Sequence, residues 1–183
     1  MPEELIIEQC APTLAGIKTA NLFPFRYTDR KVLFEKIREF NKSLSNKGIK
    51  MIPVKVKDGF ALIYMYRPKM LETDLSNELA IKVLNSFGYS CSCSGKCIAE
   101  LMRRLQTSDM FPHEIGFFLG YPPEDVKGFI ENQSGESKCV GCWKVYGDVC
   151  SAQKRFDKYK KCTHVYKEQY KNGKSIQRLT VAV

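Results

Sequence analysis

Ile49-Lys-Met-Ile-Pro-Val-Lys-Val-Lys-Asp-Gly-Phe-Ala-Leu-Ile-Tyr-Met-Tyr66 is the stretch that decides the fold. Two runs rich in β-branched, aromatic and long apolar residues flank Lys57-Asp58-Gly59. An Asp-Gly step supplies the positive φ that a tight hairpin turn requires. The reading is a β-hairpin, one strand over 49–56 returning as 60–66. Pro53 has no N–H to give to a ladder, so the first strand lies at a sheet edge or carries a bulge there.

Helical spacing surrounds this hairpin. Thr28 or Asp29 caps a predicted helix from Arg30 to about Ser45, with Val32, Leu33, Ile37, Phe40 and Leu44 on one face. Upstream, the segment Cys10–Phe25 is punctuated by Pro12, Gly16 and Pro24 and reads as extended or strand-like. Downstream, a helix is predicted from a cap at Asp74 to Phe87, and another from about Lys96 to Gln106. A short helix covers 111–119 with Pro112 in its first turn, and a further one opens at Tyr121-Pro-Pro-Glu-Asp125 and runs to about Glu131. Trp143-Lys-Val-Tyr146 reads as a short strand. The longest helix is predicted from Gly147-Asp148 to Asn172-Gly173, and Ile176–Val183 reads as a closing strand. In that helix Val149, Ala152, Phe156, Tyr159, Thr163, Tyr166 and Tyr170 recur at steps of three and four, a core-facing stripe. The fold class is therefore α+β: a small mixed or antiparallel sheet packed by several helices, with a long basic C-terminal helix, in a single domain over 1–183.

Composition narrows the classes of function. Hydrophobic residues make up 44% of the 183 and charged residues 27%, as in a globular protein. No apolar run reaches the roughly 20 residues of a bilayer-spanning helix, so no membrane partner is expected. The acidic start Met-Pro-Glu-Glu-Leu-Ile-Ile-Glu8 lacks the basic and apolar regions of a secretory signal and predicts a cytoplasmic location, where structural disulfides are disfavoured. The net charge of +9 is lopsided: residues 138–183 hold 11 Lys and Arg against 3 Asp and Glu, leaving only +1 for residues 1–137.

Three segments carry a family resemblance: Cys10-Ala-Pro-Thr-Leu-Ala-Gly-Ile-Lys18, Phe111-Pro-His-Glu-Ile-Gly-Phe-Phe-Leu-Gly-Tyr-Pro-Pro-Glu-Asp-Val-Lys-Gly-Phe129 and Trp143-Lys-Val-Tyr146. Together they resemble domain-of-unknown-function family 3793, found in clostridia and other anaerobic bacteria. The resemblance spans nearly the whole chain. It implies a bacterial, cytoplasmic protein of anaerobes and assigns no catalytic residue.

The cysteines are the first candidate site. Five of the eight fall in two groups: Cys91, Cys93 and Cys97 in Ser90-Cys-Ser-Cys-Ser-Gly-Lys-Cys97, and Cys139 with Cys142 in a C-x-x-C. Such spacing suits zinc or an iron–sulfur cluster if the two groups meet in space, although it matches neither a zinc ribbon nor a ferredoxin run. The same thiols suit redox chemistry with a thiol partner protein. Cys97, in the first turn of a helix beside Lys96, would be the reactive thiol and Cys93 the resolving one. Against both stands the plain alternative that these cysteines are small buried hydrophobes.

Two other readings come from different classes. Lys154, Arg155, Lys158, Lys161 and Lys171 lie largely off the apolar stripe of the long helix and form a face for an anion or nucleic acid. An enzyme with a pocket near Cys10, Cys97 and His113 is the third. Two motifs are excluded. A Walker A loop would need glycine where Ser90 stands and Ser or Thr at Cys97, and a zinc-protease H-E-x-x-H would need histidine at Phe117.

Overall fold

The computed structural model describes residues 1–90, 92–107, 111–132 and 135–182. The chain divides into two compact units, Met1–Lys69 with Tyr159–Val183, and Met70–Lys158.

The first unit is built on the predicted hairpin. Strand β2 (Lys50–Lys57) and strand β3 (Phe60–Tyr66) run antiparallel, with Asp58 at φ 49° and Gly59 at φ 76° in the turn. β1 (Ala20–Arg26) pairs antiparallel with the other side of β3, so the sheet order is β1-β3-β2. Pro53 therefore sits on an edge strand, and the register also slips between Pro53 and Lys55. Val54 is the extra residue of that bulge and is fully buried.

Helix α2 (Arg30–Leu44) follows its sequence signals: Asp29 is the cap, its carboxylate accepting from Lys31 N at 2.7 Å. The Asn41 amide of this helix exchanges two 2.8 Å hydrogen bonds with the backbone of Met51, giving the exposed edge of β2 a side-chain partner in place of a fourth strand. Ile6, Ile7, Cys10, Leu14, Leu33, Ile37, Leu44 and the inward residues Ala61, Ile63 and Met65 of β3 form one core.

Three sequence expectations are corrected. The segment at Cys10–Leu14 is not extended; it is the end of helix α1 (Glu3–Leu14). Ile6, Ile7, Cys10, Ala11 and Leu14 recur at helical spacing and are all buried, and that burial outweighs Pro12. The proline deprives only the carbonyl of the exposed Glu8 of its helical donor, a group water can serve. Second, the helix expected from an Asp74 cap is two helices, α3 (Pro68–Leu75) and α4 (Glu78–Ser86). Asp74 lies inside α3, and the Asn77 side chain caps α4 by accepting from Leu79 N at 3.0 Å and Ala80 N at 3.2 Å. Third, the tail is not a strand. After the long helix α8 (Val149–Lys171) it forms one helical turn, α9 (Ile176–Leu179), burying Ile176 and Leu179.

The tail is held by cations instead of a ladder. Lys47 Nζ donates to the carbonyls of Gln177 and Thr180 at 2.5 and 2.8 Å. Arg67, 1% exposed, donates to the carbonyls of Thr13 (2.6 Å), Leu14 (2.8 Å), Val181 (2.8 Å) and Lys47 (3.2 Å). A guanidinium at the C-terminal carbonyls of α1 is favoured by the helix dipole.

The second unit continues from α3 and α4 with α5 (Ser94–Thr107), α6 (Ile115–Phe118), α7 (Pro123–Glu131) and a small hairpin of β4 (Cys139–Val140) and β5 (Lys144–Val145). Helix α5 begins at Ser94, two residues earlier than its spacing predicts. In α8, residues Val149–Lys158 belong to this unit and Tyr159–Lys171 to the first. The Asp148 carboxylate caps it, accepting from Cys150 N and Ser151 N. Among the described residues no helix is long and apolar enough to cross a membrane.

Candidate functional site

The second unit holds a cleft of about 480 Å³, in the size range of small-molecule sites. Its wall is made by Leu119, Tyr121, Val126, Phe129 and Trp143, with Phe111 exposed beside them; the polar lining residues are His113, Asp125 and Lys144. Each comes from an element that the sequence explains. Ile115, Phe117 and Phe118 bury the short α6 and so set Leu119 at the end of a fixed turn. Pro123 starts α7 at its first position, where the missing N–H costs nothing. The β4–β5 hairpin then delivers Trp143 and Lys144.

Asp125 organises the wall. It is 3% exposed, yet each carboxylate oxygen is satisfied: Oδ2 accepts from Trp143 Nε1 at 2.7 Å, and Oδ1 accepts from the backbone N–H of Tyr146 at 2.8 Å and Gly147 at 2.7 Å. A buried carboxylate is stable when donors surround it in this way. The indole also packs against two aromatic rings. Tyr121 stacks on it at 4.8 Å between ring centroids, and Phe156 of α8 meets it edge-on at 4.5 Å. The hairpin can approach Phe156 because residue 141 is glycine; a Cβ there would stand 2.2 Å from the Phe156 ring.

His113 and Glu114, adjacent in sequence, serve different places. The His113 ring packs perpendicular to Phe129 at 4.9 Å and faces the cleft. Glu114 turns into the interior, where its Oε1 accepts from the Tyr89 hydroxyl at 3.0 Å and lies 3.5 Å from Arg104. Burial, and then the Glu114 carboxylate, push the Tyr89 hydroxyl well above its ordinary pKa. Arg104 crosses the Tyr89 ring at 4.6 Å and bonds Glu100 at 2.8 Å. Hydrogen bonds from Arg103, and then from Arg104, hold the Glu100 carboxyl down to about 2.

The sequence-predicted thiols are spread over several environments. Cys91 lies outside the described residues. Cys93 is exposed ahead of α5, whereas Cys97 is buried on the inner face of that helix. Cys139 is half-buried in β4 and Cys142 exposed at the hairpin tip. Among the described residues no group of three or more His, Cys, Asp and Glu side chains is placed to hold a metal ion. Cys10 lies in the core of the first unit, where burial raises its thiol pKa far above the usual range. Neither Cys10 nor Cys97 lines the cleft that His113 lines. Lys154, Arg155, Lys158, Lys161 and Lys171 of α8 are all exposed, and Lys171 pairs with Glu168 at 3.0 Å.

The cleft brings together residues of two nearby segments, Phe111–Phe129 and Trp143–Lys144, and the model of one protein family matches residues 6–180, nearly the whole chain. The chain belongs to the family of proteins of unknown function DUF3793. No curated protein matches the chain, and no solved structure does. Two of the three segments that carry the family resemblance are thus the walls of one site. Reasoning from nucleophiles and metal ligands passed over Tyr121, Asp125, Phe129, Trp143 and Lys144. The signal that marks them is the density of aromatic and small residues in 111–129, followed by the chain's single tryptophan.

Proposed function

We propose that the second unit of this DUF3793 protein is a binding module for a small molecule with a flat apolar body. The observation that carries this reading is the cleft of about 480 Å³ whose wall is aromatic and aliphatic and whose shape is held by the Asp125–Trp143 hydrogen bond. Binding sites for small molecules combine such walls with a few placed polar groups. The test is a titration with N-phenylnaphthylamine, a neutral apolar dye that takes excitation energy from a nearby indole. Energy transfer from Trp143 is expected, and Phe111→Glu, a substitution at the exposed mouth, is expected to weaken it at least threefold without changing the thermal midpoint. Absence of transfer in the wild-type protein defeats the reading.

A second reading rests on α8. Lys154, Arg155 and Lys158 of the second unit are exposed and have no carboxylate partner among the described residues. Such a face suits a phosphate backbone without sequence preference. Binding to polyuridylate that weakens steeply with salt, and that Lys154→Gln with Lys158→Gln reduces, supports it; salt-independent binding or none counts against it.

A further inference from the structure

The cleft's charges say more than its shape. Two ionisable groups of fixed sign line it, Asp125 and Lys144. Asp125 is not available to a ligand: it is buried, and its two oxygens already accept three N–H groups. Lys144 is the reverse case. It is exposed, its ammonium stands 5.6 Å from the Phe129 ring centroid, and no carboxylate pairs with it among the described residues.

The position of Lys144 disfavours a cationic ligand. A cation is held over ring faces. Tyr121 stacks on one face of the Trp143 indole, Phe156 packs against the same indole at an interplanar angle of 74°, and Lys144 already lies over Phe129. An ammonium without a carboxylate partner among the described residues, beside an apolar wall, complements a negative group.

We infer that the ligand of this cleft is a small aryl carboxylate, its ring against Leu119, Val126 and Phe129 and its acid group at Lys144. This rests on the small-molecule reading proposed above and adds the sign of the ligand's charge to it. Lys144 is then a specificity-determining residue, and its position beside Trp143 on the same hairpin follows from β5.

The experiment compares three probes of one ring system: naphthoate, methylnaphthalene and naphthyltrimethylammonium. The chain has one tryptophan, so the single indole N–H cross-peak in a nitrogen–proton correlation spectrum of the full chain reports occupancy. Naphthoate is expected to bind about threefold to fivefold tighter than methylnaphthalene, the advantage of one exposed charge pair. Lys144→Gln is expected to remove that advantage and Lys144→Arg to keep it. Equal binding of naphthoate and methylnaphthalene, a preference for the ammonium probe, or an advantage that survives Lys144→Gln overturns the inference while leaving the small-molecule reading standing. If no probe shifts the indole peak, both fall.

Discussion

Asp125 Oδ2 accepts a 2.7 Å hydrogen bond from Trp143 Nε1, joining the first turn of α7 to the β4–β5 hairpin. The same carboxylate caps the two backbone N–H groups that follow β5. Removing it strands three buried or half-buried donors, each worth about 1–3 kcal/mol when left unsatisfied. Asp125→Ala is therefore expected to destabilise the protein by about 3 kcal/mol or more, and Asp125→Asn, which keeps one acceptor, by less. Urea unfolding followed by tryptophan fluorescence measures both, and a loss under 1 kcal/mol for the alanine variant would show that the clamp is dispensable.

Arg67 fixes the first unit in the same sense that Asp125 fixes the second. It joins the end of α1, the turn at Lys47 and the tail at Val181 through carbonyls alone. Burial lowers its pKa, the sign of a cation removed from water. Lysine cannot reproduce the forked geometry. Arg67→Met is expected to cost about 3 kcal/mol and Arg67→Lys about 2 kcal/mol, given typical values for buried charged hydrogen bonds. Amide exchange should also speed up across residues 176–182 in either variant; unchanged exchange there contradicts the assignment.

Alkaline pH should destabilise the fold once it passes the ordinary cysteine and tyrosine pKa values. Burial raises Cys10 and Tyr89 strongly and Tyr166 to about 12, the last also through Cys162, with Arg67 opposing. Each group has a folded-state pKa above its unfolded value, so its contribution to stability is complete below the unfolded pKa and disappears as pH rises toward the folded one. The thermal midpoint is expected to hold up to about pH 9 and to fall steadily from there toward pH 12. Ionisation of all nine tyrosines in one step near their free value, with the fold intact, would contradict this.

The thiols divide by access. Cys93, Cys142 and Cys150 are exposed, and Cys10 and Cys97 buried. Iodoacetamide on the native protein is expected to modify the first three and to reach the other two only after denaturation, as peptide mass mapping would show. Rapid native labelling of Cys97 would revive the reactive role its place in the first turn of α5 suggests. Zinc retained by wild-type protein and lost in Cys142→Ser would likewise revive the metal reading.

Local backbone chemistry was readable from residue types, and tertiary chemistry was not. Asp58-Gly59 and Pro53 restrict the backbone through their own covalent structure, and Thr28 or Asp29 offered a capping oxygen; the hairpin, the edge strand with its bulge and the Asp29 cap of α2 are what formed. Pro12 misled because its cost as a helix residue depends on whether the Glu8 carbonyl faces water, which only the fold decides. The tail misled because its carbonyls are taken by Lys47 and Arg67, more than 100 residues away in sequence. In the cleft, Asp125 looked like an ordinary helix-start acid, and its partner indole stands 18 residues on. Cysteines attract attention in a sequence because their chemistry is distinctive, whereas an aromatic wall reads as core until its open side is seen.

The most direct test of the cleft's role is the set of intermolecular nuclear Overhauser effects from methylnaphthalene bound to the isotope-labelled protein. The binding account predicts contacts to the methyl groups of Val126 and Leu119 and to the rings of Phe129 and Trp143. Contacts confined to side chains of the first unit, or none at all at saturating probe, would contradict it.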